Sequence, residues 1–114
     1  MIYHVIGLWW YNRSTPLCGK SFQGVINTEE GRVSGCVEDV HGFANIEGQM
    51  DERNPTFTKT YDHSTGRGGA IFPLSYQLQN TGHGYLGTFS YSSKEGQRGD
   101  GPHGKALCVL ALCE

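Results

Sequence analysis

Arg32–Tyr61, RVSGCVEDVHGFANIEGQMDERNPTFTKTY, alternates small or apolar residues with polar ones. A period of two is the mark of half-buried strands. Three strands follow from it: Arg32–Asp39, Phe43–Met50 and Thr56–Tyr61, separated by Val40-His41-Gly42 and by Asp51–Pro55. Val33, Gly35, Val37 and Asp39 share one face of the first strand, and Ala44, Ile46, Gly48 and Met50 repeat the pattern on the second. On the third, Phe57, Lys59 and Tyr61 form the inner face, so a lysine is aimed at the core.

Working outward, the remaining segments read the same way. Tyr3–Tyr11 is apolar on both faces, with Val5, Gly7 and Trp9 against Ile6, Leu8 and Trp10, so its register stays open. Ser21–Asn27, Ile71–Gln79, Gly84–Tyr91 and Lys105–Cys113 supply four more strands, and Pro73 marks an irregular start to the Ile71 segment. Eight successive strands make an all-β antiparallel meander. Pairing the first strand with the last closes it into an up-and-down barrel and hides both edges. The terminal strands are the most apolar, as such a closure requires. The expectation is one barrel domain over residues 1–114, with no helix longer than a turn or two.

Composition supports this. Seventeen glycines lie between short apolar runs, and only four alanines occur. The net charge of −2 comes with no basic cluster, which argues against nucleic acid or an anionic membrane as partner. No run approaches the length of an apolar membrane span. Met1–Asn12 lacks the charged and apolar regions of a signal peptide, so an intracellular, cytoplasmic location is expected. Four cysteines match no paired spacing and read as buried free thiols that act as small hydrophobes.

The connections are asymmetric. At one end Thr28–Gly31, Asp51–Pro55 and Asn80–His83 are short, whereas Asn12–Lys20, Asp62–Ala70 and Ser92–Gly104 elaborate the other, with Val40–Gly42 the short exception. Ligands and partners approach antiparallel barrels at the elaborated end.

Gly7-Leu8-Trp9 opening the first strand, followed by glycine-punctuated hairpins, resembles the calycin group of barrels, which includes avidins and lipocalins. Length and strand number are most similar to avidin, across nearly the whole chain. Trp10-Tyr11-Asn12 matches part of avidin's biotin contacts, with Ser14 nearby at another spacing. The tyrosine expected on strand three is Val37, and the later strands carry no tryptophan. The resemblance implies the fold and does not carry biotin binding with it.

Several motifs dissolve on inspection. Gly82/Gly84/Gly87 and Gly99/Gly101/Gly104 fit G-x-G-x-x-G but lead into strands, where a dinucleotide site needs a helix. Gly19-Lys20-Ser21 lacks the first glycine of a phosphate loop and also enters a strand. Asn12-Arg13-Ser14 is a sequon without an export signal, and Arg98-Gly99-Asp100 reads as a glycine-rich turn. His41, His63 and His103 share the elaborated end with Asp39, Asp62 and Asp100, yet no ligand spacing forces them together, so no metal or other cofactor is expected.

Asp39, Lys59, Tyr61 and Tyr76 remain as candidate ligand-binding residues. A barrel lysine must find a carboxylate or lower its pKa. The pair serves either as a structural ion pair or as a polar anchor for a ligand. No catalytic constellation emerges, so the chain is expected not to be an enzyme. The bulky inward set, with Phe22, Phe57, Phe89, Tyr61, Tyr76, Tyr85 and Tyr91, predicts a filled interior without a continuous ligand-sized pocket. Gly24, Gly35, Gly48 and Gly87 would give those rings room. The first reading is therefore a structural or protein-interaction module, homo-oligomeric or with a protein partner. It would use whichever of Trp9 and Trp10 lies on the outer wall. The alternative is a carrier of a small apolar or weakly anionic ligand at the elaborated end.

Overall fold

A computed structural model of the chain describes residues 1–51, 54–63, 69–91 and 103–113. Eight strands occur in order: β1 (Ile2–Tyr11), β2 (Lys20–Glu29), β3 (Arg32–Asp39), β4 (Gly42–Gln49), β5 (Thr56–Tyr61), β6 (Leu74–Asn80), β7 (Tyr85–Tyr91) and β8 (His103–Leu112). They form a closed antiparallel barrel in meander order. β1 pairs with β8 from Tyr3↔Leu112 to Tyr11↔Gly104, which removes both edges of the sheet. A short 3-10 turn lies at Pro16–Cys18, and among the described residues no helix is long and apolar enough to cross a membrane.

Local chemistry sets the hairpins. β2 and β3 are joined through Glu30 (φ 51°) and Gly31 (φ 80°). Two consecutive left-handed residues make the primed turn whose twist matches the flanking strands. At the opposite end Val40-His41 connects β3 to β4. The backbone N–H of His41 donates to the Asp39 Oδ1 at 2.8 Å, so the Asp39 side chain braces its own turn.

Alternation holds along the walls. Val33, Val37 and Asp39 of β3, Ala44 and Ile46 of β4, and Lys59 and Tyr61 of β5 are all buried. The open register of β1 resolves with Val5, Gly7 and Trp9 inward, while Ile6 is 60% exposed. Gly7 is where a ring crosses: a Cβ there would fall 2.3 Å from the Phe22 ring. At Gly24, Gly35, Gly48 and Gly87, by contrast, that space is taken by the backbone of the neighbouring strand. These four glycines let strands approach and coil; they do not house rings.

Strand ends shift from the expected bounds by at most two residues, except at the start of β6. β6 begins at Leu74, not Ile71, and Ile71 is 75% exposed. Pro73 has no N–H to give the ladder. As a result β5 and β6 pair over only Thr56↔Gln77 to Lys59↔Leu74, and the top of that seam is open. Gly69 (φ 102°) lies against the ring of Tyr61 there, and His63 Nε2 is 3.1 Å from the Ala70 carbonyl.

The four cysteines are unpaired. The expected burial holds for Cys108 alone: Cys18, in the 3-10 turn, and Cys36, on the outer face of β3, are exposed, and Cys113 is partly so. Arg98-Gly99-Asp100, read from the sequence as a glycine-rich turn, lies outside the described residues.

Candidate functional site

The inner ends of β1, β3 and β5 converge on one carboxylate. Lys59 Nζ donates to Asp39 Oδ2 at 2.8 Å. The Tyr61 hydroxyl donates to the same oxygen at 2.5 Å, and Trp9 Nε1 donates to it at 3.3 Å. With the His41 amide on the other oxygen, Asp39 accepts four hydrogen bonds while only 8% exposed. Lys59 is 2% exposed, and its ammonium sits 4.7 Å from the Tyr61 ring centre and 5.6–5.9 Å from those of Phe22, Trp9 and Tyr76. Ring faces and one carboxylate replace its water.

The electrostatics follow from this enclosure. Burial opposes the Asp39 charge, but the Lys59 ammonium and the hydrogen bonds from Lys59, Tyr61 and His41 outweigh it and hold the carboxyl below its ordinary value. Burial pushes the Lys59 ammonium down, and the Asp39 carboxylate opposes that drop. Burial, with the adjacent Asp39, raises the Tyr61 phenol. Tyr76 is raised by burial first and then by the Asp39 charge. Both phenols stay protonated in the ordinary pH range. Together with the Asp39–Lys59 pair they make a floor across the barrel.

That floor divides the barrel. Below it Val5, Phe22, Ile26, Val37, Phe57 and Leu78 leave about 40 Å³. Pro55, fully buried, lines this lower chamber from beneath. Above it an open cup of about 550 Å³ is lined by Trp9, Tyr11, His41, Tyr61, Tyr76, Phe89 and Tyr91, with Arg13 and His103 among its other lining residues. The expectation of a filled interior without a ligand-sized pocket thus fails at the upper end. Phe22 and Phe57 lie in the lower chamber, so their rings take no space in the cup. At the mouth Tyr11, 47% exposed, lines the cup instead of plugging it.

The cup wall is a continuous belt of rings. Tyr61 meets His41 edge-on (5.9 Å, 87°), and His41 stacks on Trp9 (6.0 Å, 28°). Trp9 meets Tyr11 and Phe89 edge-on at 5.4 and 6.0 Å. Tyr76 stacks on Phe89 (5.3 Å, 24°) and, on its far side, on Phe57 (4.9 Å, 11°).

Of the four ligand candidates, Tyr61 and Tyr76 line the cup, while Asp39 and Lys59 lie beneath it, spent on each other. Neither tryptophan serves as an exposed outer contact. Trp9 is inward at 5% exposure; Trp10, on the opposite face, is 7% exposed. The anticipated exposed Trp is absent because both rings are covered. Sequence reasoning missed Trp9 as a partner of Asp39, and Tyr11, Arg13 and Phe89 as cup residues. The shared signal was position: each lies within two residues of a top strand end. Among the described residues no group of three His, Cys, Asp or Glu gathers as a metal site would, and Asp100 lies outside them.

The chain matches no protein family, no curated protein and no solved structure.

Proposed function

We propose that this barrel is a non-enzymatic carrier of a small, largely apolar ligand held in the upper cup. The observation that carries the reading is the division of the interior. The lower chamber is packed, the Asp39–Lys59–Tyr61–Trp9 set seals it, and a ring-lined cup of about 550 Å³ is left open above. That volume falls within the ~300–1,000 Å³ of small-molecule sites. The floor's donors are committed to Asp39, which favours holding a ligand over transforming it. The general architecture agrees with the calycin-like resemblance, whose barrels hold ligands at their open ends.

The test is native mass spectrometry of the protein recovered under mild conditions, before and after denaturation and refolding. A small molecule that departs on denaturation and protects the Trp9 indole N–H signal on return supports the carrier. An unliganded protein whose Trp9 signal responds to no member of an aromatic fragment set removes it.

A second reading has its own observation. Leu86, Leu107 and Leu8 are cross-strand neighbours on the outer wall, and Val109 pairs with Ile6 beside them. Ile6, Leu86, Leu107 and Val109 are 38–60% exposed. An apolar strip across β7, β8 and β1 is a surface for a protein partner, which a second copy of the chain would satisfy. Sedimentation of the wild type against Ile6→Lys tests it: an unchanged monomer in both removes self-association.

A further inference from the structure

We infer that the ligand of the upper cup is a flat, unsaturated organic anion: a ring system lying along the aromatic belt, with its acidic group at the rim against Arg13. The inference rests on the carrier reading and adds the chemistry of the cargo.

Planarity comes from the wall. Tyr61, His41, Trp9, Tyr11, Phe89 and Tyr76 form an unbroken succession of rings, each within 6.4 Å of the next, in edge-on, tilted and stacked pairs. A further flat ring continues that packing from either geometry, whereas a flexible alkyl chain gains only contact area. The depth of the cup is also poor in donors. The Trp9 N–H, the Tyr61 O–H and the Lys59 ammonium all point to Asp39. A polar group pushed inward would find the single Trp9 and Tyr61 donors taken and the ammonium beneath the floor. Only the Tyr76 hydroxyl is left, so the ligand's deep end is largely apolar.

Charge comes from the rim. The described lining residues include Arg13, His41 and His103 and no carboxylate. Asp39 lies beneath, its charge matched by Lys59 at 2.8 Å. Arg13 is exposed and makes no salt bridge among the described residues. A guanidinium stays charged at all relevant pH and presents paired donors that fit a carboxylate, sulfonate or phosphate. An ammonium ligand would meet the like charge of Arg13 at the rim. The sign of the rim therefore selects an anion.

Four probes of graded chemistry test this by calorimetric titration of the full chain: 2-naphthoate, 2-naphthylmethanol, 2-naphthylmethylammonium and octanoate. The expected order places 2-naphthoate first, with affinity falling as salt rises. Arg13→Met should weaken 2-naphthoate about tenfold and leave 2-naphthylmethanol unchanged. Arg13 is exposed, so this variant should fold, which near-ultraviolet circular dichroism checks. Equal or tighter binding of the alcohol or the ammonium overturns the anionic assignment. Equal binding of octanoate overturns planarity. Loss of 2-naphthoate binding in the wild type, with the alcohol still bound, leaves a carrier of neutral cargo and overturns the inference alone. No binding by any of the four removes the carrier reading with it.

Discussion

Lys59 Nζ and Asp39 Oδ2 lie 2.8 Å apart inside the barrel, twenty residues apart in sequence, with side chains 3% and 0% exposed. The pair is asymmetric in what each partner supports. Lys59 makes one ionic contact, whereas Asp39 also holds Trp9, Tyr61 and the His41 turn. The carboxylate is the hub.

Removing the two partners should therefore have unequal effects. Asp39→Ala leaves a buried ammonium and two buried donors unpaired, and should cost about 3–5 kcal/mol. Lys59→Met keeps the volume of the stem and leaves Asp39 three donors, so it should cost distinctly less. Urea unfolding of both variants checks the order, and equal losses would refute it.

Acid should act through the same residue. The Asp39 carboxyl is held below its ordinary 3.8 in the folded state. Below that pH the unfolded chain takes up a proton that the folded chain refuses, so stability is complete above this window. It is lost as pH falls through the window toward the folded value. Urea midpoints measured downward from about pH 5 should fall more steeply in the wild type than in Asp39→Asn, which has no such group to titrate.

Gly7→Ala should be destabilising out of proportion to one methyl. The added Cβ would meet the Phe22 ring at 2.3 Å and the Leu107 carbonyl at 2.5 Å. Overpacking of this kind costs about 1–3 kcal/mol. A thermal midpoint equal to wild type would show that the Phe22 ring yields freely.

Thiol labelling should separate the cysteines by face. Cys18 and Cys36 are exposed and should react with a disulfide reagent at once. Cys108 is buried and its thiol is pushed up to about 11 by burial, so it should react only as the barrel opens. Prompt labelling of Cys108 in the native protein would contradict the inward register of β8.

Much of this molecule was legible in its residues. Period-two alternation in Arg32–Tyr61 placed Asp39, Lys59 and Tyr61 on one inner face, because a strand's side chains can only alternate. A meander with apolar terminal strands has one economical way to hide its edges, and β1 pairs with β8 accordingly. Alternation also implied that an inward lysine needs a carboxylate, and Asp39 was the inward acid at the same end.

Tertiary structure decided the rest. β1 is apolar on both faces, so only closure against β2 and β8 could turn Trp9 inward and set it against Asp39, thirty residues away. Trp10 falls on the opposite face and is covered even so. The cup was hidden for a related reason. A sum of ring volumes says how much space the side chains need, but not at what height along the axis they spend it. Phe22 and Phe57 fill the lower chamber, while Tyr11, Tyr91 and Phe89 line the mouth. Ring placement depends on neighbours brought together only when the barrel closes, and no local pattern in the chain encodes it.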